Sequence, residues 1–128
     1  MIGIFVNQIG GVPYALAIVM GYKPIETRSR NMLRKCVGHR VAIIQTRRGR
    51  SPLVIGYATI SSASFQTGAW LDANRELTLI PAGSLYDNQG RGKWCYQMEN
   101  PEACQPYDLP SNAVRHGRSW CEFQMGAA

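Results

Sequence analysis

About six short segments of the chain have the character of β-strands, and no regular alternation of strand and helix separates them. These segments, rich in apolar and β-branched residues, cover residues 2–9, 24–29, 40–46, 53–65, 93–100 and 117–125. An apolar helix is predicted over residues 12–21 and a second helix over 69–77. Because the strand–helix–strand rhythm of a parallel sheet is missing, the pattern favours a small, mostly antiparallel barrel.

The length and composition are those of one ordinary globular domain. The chain has 128 residues, which we expect to form a single domain over residues 1–128. Its apolar runs are shorter than the roughly 20 residues that a membrane helix needs, and its beginning does not resemble a signal peptide. We therefore expect a cytoplasmic protein with no membrane partner. The four cysteines form no CxxC pair, so neither a metal nor another cofactor is predicted.

Glycine and proline predict where the strands bend and stop. Gly56 lies inside the segment 53–65, where it predicts a bulge or a tight bend. The stretch 47–52, "RRGRSP", reads as a basic hairpin loop turned by Gly49. The stretch 101–110 holds three prolines and is predicted to be an extended loop.

The positive charge of the chain is concentrated in one part of the sequence. Residues 23–50 contain nine Lys or Arg and one acid, a net charge of +8, whereas the remaining residues carry five cations and seven acids. A basic region on a nearly neutral body is typical of a surface that binds a polyanion. The alternative is a solvated basic surface that binds nothing.

The stretch 21–31, "GYKPIETRSRN", places a single carboxylate among cations directly after the apolar helix. Gly21 is suited to end that helix in a left-handed conformation. Strand alternation then puts Glu26 and Arg28 on one face, with Lys23 at the start of the strand. Glu26 would either orient the two cations or accept a hydrogen bond from a base edge. The third interpretation is a surface ion pair without a ligand.

These residues resemble the motif of the ASCH domain, a family similar to the PUA domain. The resemblance rests on "GYK", the following "IETR" and the later "GHRVAII", which supply Gly21, Lys23, Glu26, Arg28 and Gly38. The late "GKWCYQMENP" and "GRSWCEF" resemble closing strands of that family. The resemblance implies an α+β fold, a small, mostly antiparallel PUA-like β-barrel with one or two short helices. Residues 66–90 have no assigned counterpart.

The resemblance implies an RNA-binding or modified-nucleoside-binding domain with a cleft around this motif. The alternative is a small hydrolase at the same cleft, either an amidohydrolase acting on an acylated cytidine or a metal-independent ribonuclease. In such an enzyme Lys23 and Glu26 would be the catalytic residues. Glu26 stands where the amidohydrolases have a threonine, and Asp72 or Glu76 are the only candidates for their distant glutamate.

The predicted site residues fall into two groups. The candidate ligand-binding residues are Tyr22, Lys23, Glu26, Arg28, Arg30, Tyr86, Trp94 and Arg115. The candidate phosphate contacts are Arg47, Arg48 and Arg50. Tyrosine and tryptophan are included because unpaired bases stack on aromatic rings. A third hypothesis is an adaptor whose basic loop docks a protein.

Overall fold

The computed structural model describes residues 1–8 and 11–125, which form one seven-stranded sheet with short helices against it. In chain order the elements are β1 (Ile2–Val6), α1 (Tyr14–Val19), β2 (Ile25–Arg28), a 3₁₀ turn (Arg34–Cys36), β3 (Arg40–Arg47), β4 (Arg50–Gln66), α2 (Gly68–Ala73), α3 (Arg75–Thr78), β5 (Lys93–Asp108), β6 (Val114–His116) and β7 (Trp120–Glu122). Three short α-helices thus stand where one or two were predicted.

The sheet is mixed, which corrects the prediction of a mostly antiparallel barrel. Its strand order is β2-β5-β4-β3-β1-β7-β6. β1 and β3 run parallel, with Ile4 opposite Ile43, and the other neighbouring pairs are antiparallel. The parallel pair arises because the chain crosses over through α1 and β2 between these two strands. The sheet curls into a half-barrel, with β2 and β6 at its edges.

The central strand β3 is covered on both of its faces. Val41 and Ile43 belong to the core cluster that includes α1, while Ala42 and Ile44 belong to a second cluster around Phe123. A strand buried on both sides has no polar alternation, which accounts for the continuous apolar run of this segment. The β3 core therefore positions α1, and with α1 the start of β2.

The predicted bulge at Gly56 is confirmed. The β3–β4 register shifts between the Ile43–Gly56 pair and the Ile44–Val54 pair. An added Cβ at Gly56 would lie 2.3 Å from the Glu102 carbonyl oxygen and 2.6 Å from Val19 Cγ1. Gly56 therefore lets α1 and β5 approach β4 closely.

The prediction of an extended loop over 101–110 is wrong, because β5 continues to Asp108. The prolines are accommodated where the β4–β5 register shifts. Of the three irregularities, one spans Pro101, between the Tyr57–Glu102 and Thr59–Glu99 pairs, and another spans Pro106. A residue without an N–H is tolerated at bulges and on exposed strand edges, so pairing with the long β4 overrides the local proline signal.

Other boundaries differ from the predictions by a few residues. The first strand ends at Val6 rather than at residue 9, and residues 9 and 10 lie outside the described residues. The basic loop shrinks to residues 48–49, since β3 and β4 extend to Arg47 and from Arg50. The helix predicted over 69–77 is present as α2 and α3, which are separated at Asn74.

Candidate functional site

The junction between α1 and β2 turns the chain so that the side chain of Lys23 enters the protein. Gly21 follows the helix with a φ of +82°, the left-handed conformation expected of a helix-ending glycine. The backbone N–H groups of Tyr22 and Lys23 both donate to the Ala17 carbonyl, at 2.9 and 3.0 Å. β2 then pairs with β5, with Glu26 opposite Tyr96. Backbone hydrogen bonds therefore fix the path of the chain through the junction.

Lys23, Glu26 and Arg28 form a buried ion triad. Lys23 Nζ lies 3.5 Å from Glu26 Oε1, and Arg28 Nη2 lies 3.0 Å from Glu26 Oε2. Their side chains are 1%, 9% and 15% exposed, respectively. Each carboxylate oxygen of Glu26 thus faces one cation, which is the orienting role considered for it in the sequence.

Backbone carbonyls from distant segments anchor both cations. Lys23 Nζ donates to the Thr78 carbonyl at the end of α3, and Arg28 Nη2 donates to the Phe5 carbonyl of β1 at 2.7 Å. The Lys23 ammonium also lies 5.2 Å from the ring centroid of Tyr14, within the range of a cation–π contact. The triad therefore joins α1, α3 and β1 around the start of β2.

The triad lies at the wall of an open cavity of about 530 Å³. The end of β1, Tyr14 of α1, β2 and the segment 85–93 enclose it. The charged residues along its walls are Lys23, Glu26, Arg28, Asp87, Arg91, Lys93 and Arg118. Five of them are cationic and two are anionic, so the cavity favours a ligand that carries negative charge.

The long connection between α3 and β5 forms one wall of the cavity and is fixed by polar contacts. The Asp87 carboxylate accepts from the backbone N–H groups of Gly83 at 2.7 Å and Asn88 at 2.9 Å, and it pairs with Arg75 at 3.1 Å. The hydrogen bond from Gly83 and the nearby Arg75 hold the pKa of Asp87 below its usual value.

An aromatic pair closes the cavity on the side of α1. The rings of Tyr14 and Tyr86 meet edge to face, with centroids 5.9 Å apart. Lys93 Nζ donates to the Tyr86 carbonyl and so ties the wall to β5. Burial, followed by the neighbouring Tyr86 and Glu26, raises the pKa of Tyr14, so its hydroxyl stays protonated at neutral pH.

Burial and charge act against each other in the triad. Burial lowers the pKa of Lys23, although Glu26 acts in the opposite direction. Burial alone would raise the pKa of Glu26, but Arg28 and Lys23 outweigh it and hold that pKa below its ordinary value. Burial likewise lowers the pKa of Lys93. The site thus combines a firmly ionised carboxylate with two lysines whose pKa values lie below the ordinary value.

Two of the three nitrogens of the Arg28 guanidinium are free to meet a ligand. Both of its hydrogen bonds leave from Nη2, and among residues 1–8 and 11–125 neither Nη1 nor Nε has a partner. Every fully buried side-chain nitrogen or oxygen of the described residues has a hydrogen-bond partner. Since Nη1 and Nε have none, they are in contact with solvent. Each of these two nitrogens offers a charged N–H donor, which suits an oxygen of a phosphate or a carboxylate.

The structure brings four of the predicted ligand-binding residues to this cavity: Lys23, Glu26, Arg28 and Tyr86. The other four, Tyr22, Arg30, Trp94 and Arg115, do not line it. Tyr22 is largely exposed, and the Arg115 guanidinium packs over the Phe5 ring at 4.4 Å. Arg47, Arg48 and Arg50 lie together at the β3–β4 hairpin. Asp72 and Glu76 lie on α2 and α3, away from the cavity walls.

Several cavity residues were not predicted from the sequence: Tyr14, Asn88, Arg91, Lys93 and Arg118. Tyr14 is the first residue of α1, whose sequence is almost entirely apolar and therefore indicated only a packing role. Asn88 and Arg91 lie in the stretch 66–90 or directly beside it, and Lys93 and Arg118 stand near the start of the two late stretches, which the sequence does not pair with β2. The sequence offered one signal for a cavity residue, because Lys93 directly precedes Trp94 at the start of a strand rich in aromatic residues.

Within the described residues, no group of three or more His, Cys, Asp or Glu side chains is arranged to hold a metal ion. None of the helices in that part of the chain is both long enough and apolar enough to cross a membrane.

Solved structures of ASCH proteins from Zymomonas mobilis are similar to this chain. A serine-to-alanine variant matches with a TM-score of 0.71 and 16% sequence identity, over 96% of this chain and 89% of the other. The unsubstituted protein matches with a TM-score of 0.64 and 20% identity over 84% and 73%, and a tyrosine-to-phenylalanine variant matches equally well over 84% and 76%. No protein-family model and no curated protein matches the sequence. The likeness therefore shows that the chain has an ASCH-like fold.

Proposed function

We propose that the cavity binds one nucleotide unit of RNA or a modified nucleoside, with the ion triad as its polar wall. The observation that carries this proposal is the triad itself, three charged side chains that are at most 15% exposed and that border an open cavity. Replacing a buried ion pair by apolar residues is often neutral or stabilising. Its presence beside an open cavity is therefore better explained by ligand recognition than by stability.

The size and charge of the cavity support a nucleotide. A volume of about 530 Å³ lies within the range of small-molecule sites. The Arg28 guanidinium offers Nη1 and Nε as donors to a phosphate, while the half-buried Tyr86 offers aromatic surface to a base or a ribose.

The basic hairpin is connected to the mouth of the cavity. Asn7, at the end of β1, lines the cavity, and its side chain accepts from the Thr46 hydroxyl at 2.7 Å. Thr46 directly precedes Arg47, so the hairpin lies beside the same end of β1. We expect the hairpin to contact phosphates outside the cavity and to make RNA binding sensitive to salt.

A screen by thermal shift and titration calorimetry tests the proposal. The ligands are the four ribonucleosides, their 5′-monophosphates, N4-acetylcytidine and hexaribonucleotides of each base at low salt. A ligand of the folded state raises the melting temperature. Arg28→Met should weaken the best ligand about 10- to 150-fold, the effect of one lost charged hydrogen bond, whereas Lys35→Met, an exposed change of equal charge, should not. Absence of any hit would refute the proposal and favour the adaptor.

A hydrolase is the second candidate, favoured by the lowered pKa of Lys23. A neutral Lys23 amine could take a proton from a water that attacks the acyl carbon of an acylated cytidine, and return it to the departing cytidine amine. Acetate release from N4-acetylcytidine, or cleavage of RNA in EDTA, should then appear with the wild type and vanish in Lys23→Met. Binding without turnover in both assays would contradict this candidate.

A further inference from the structure

A row of side chains leads from the ion triad out of the cavity to an exposed aromatic ring. Arg28 of β2 lies opposite Trp94 of β5, and Trp94 lies opposite Phe65 of β4. Directly opposite residues on antiparallel strands point to the same face of the sheet. Arg28, Trp94 and Phe65 therefore follow one another on the cavity face over about 10 Å, two strand spacings.

The outer end of this row is an aromatic surface that is open to solvent. The rings of Phe65 and Trp94 meet edge to face with centroids 5.8 Å apart. Phe65 is 56% exposed although it is a large apolar side chain. We name Phe65 and Trp94 together the aromatic ledge.

Gly92 joins the ledge to the cavity. Gly92 lines the cavity, and a Cβ added to it would lie only 2.3 Å from Phe65 Cζ. The Phe65 ring is thus seated directly on the Gly92 backbone, at the rim. The neighbouring Arg91 is exposed and also lines the cavity. A cation therefore lies at the rim of the cavity, next in sequence to the glycine that carries the Phe65 ring.

We propose that the aromatic ledge is a second subsite, on which the base next to the one in the cavity stacks, while Arg91 contacts the phosphate that links them. The natural ligand is then a single strand of at least two nucleotides. This inference rests on the proposed function, because it takes the cavity as the site of the first nucleotide. Continuity with that cavity and the positive charge at the rim favour a nucleic acid strand over an apolar peptide.

Calorimetry with matched ligands tests the ledge. Each ribonucleoside 5′-monophosphate is compared with its homodinucleotide on wild-type protein and on Phe65→Ala, Phe65→Leu and Met20→Ala. Stacking on an aromatic ring is typically worth a factor of about five to 100 in affinity. The dinucleotide should therefore bind that much more tightly than the monophosphate. Both Phe65 variants should remove the gain and leave the monophosphate affinity unchanged.

Met20→Ala is the control, because Met20 is 52% exposed and does not line the cavity. It should retain the full dinucleotide gain. Equal affinity of monophosphate and dinucleotide for the wild type would overturn the ledge but leave the proposed function standing. If neither ligand binds, the proposed function itself fails and the ledge with it. Concentration-dependent sedimentation of the wild type that Phe65→Leu abolishes, without a dinucleotide gain, would instead assign the ledge to contact between two copies.

Discussion

The buried triad predicts that Glu26→Gln is strongly destabilising although it changes only one oxygen to an amide. Glu26 is the counter-ion of both Lys23 and Arg28, and the Lys23 side chain is only 1% exposed. The amide has no charge, and its NH₂ group points a donor at a cation. The variant therefore leaves an ammonium and a guanidinium close together in a site from which most water is excluded.

The magnitude follows from the two distances. Ion pairs at 3.5 and 3.0 Å have gross attractions of about 5 kcal/mol each at an effective dielectric constant of about 20. The desolvation of the ions offsets much of this sum in the wild type, but the burial of the two cations persists in the variant. Removing one partner of a buried pair typically costs about 3–5 kcal/mol. For a domain of this size that corresponds to a fall in Tm of about 10–20 °C.

Urea unfolding followed by circular dichroism measures the change, with an unchanged m-value confirming that the unfolding reaction is the same. Glu102→Gln is the matched control, because Glu102 pairs with Arg40 at 3.0 Å but the two side chains are 64% and 41% exposed. Exposed pairs contribute at most about 1 kcal/mol. Lys23→Met removes the buried ammonium but leaves Glu26 paired with Arg28, so it should stay within about 2 kcal/mol of the wild type.

The reasoning is refuted if Glu26→Gln and Glu102→Gln lose the same small free energy of unfolding. That result would mean that water reaches the triad freely and that the carboxylate is not needed to hold the cations. If instead Lys23→Met is as damaging as Glu26→Gln, Lys23 is retained for stability, and its burial does not indicate ligand recognition.

Three further predictions concern pH, packing and salt. Because the folded pKa of Glu26 lies below its ordinary value of 4.5, its stabilisation is complete above about pH 4.5 and is lost as pH falls through the folded pKa; acid titration of stability should be shallower in Glu26→Gln, and equal slopes would contradict this. Gly56→Ala should cost about 1–3 kcal/mol because its Cβ would meet the Glu102 carbonyl of β5 and the Val19 side chain of α1, and a neutral effect in thermal unfolding would show that both elements can shift. Arg48→Glu should weaken hexaribonucleotide binding and flatten its salt dependence without altering monophosphate binding; an unchanged salt slope in calorimetry would remove the hairpin from the RNA path.

The triad could be predicted from the sequence because its members are close along the chain. Strand alternation places Glu26 and Arg28 on one face whatever the rest of the fold does, and Lys23 follows a glycine that ends the helix. Their pairing therefore depends on local geometry. The same holds for the hairpin turn at Gly49, although not for its length, and for the bulge at Gly56, where a residue without a Cβ marks a local backbone requirement.

The path of β5 could not be predicted in this way. Its second half contains Pro101 and Pro106, which locally favour a loop. The strand persists because β4 extends over 17 residues and offers a partner, and because the prolines coincide with irregularities in the ladder. Whether a proline meets a ladder hydrogen bond or a bulge is decided by register, which depends on both strands at once.

The burial of the triad is likewise a property of distant segments rather than of the motif. Lys23 is enclosed because α3 brings the Thr78 carbonyl to its ammonium across 55 residues of sequence, and because Tyr86 packs on Tyr14. The motif by itself is consistent with an exposed ion pair of little energetic consequence. The connection over 79–93 covers those charges, so that the ion triad is largely removed from water while it borders the cavity. A substitution that loosens this connection, remote from the motif in sequence, should therefore weaken ligand binding as much as a change in the motif itself.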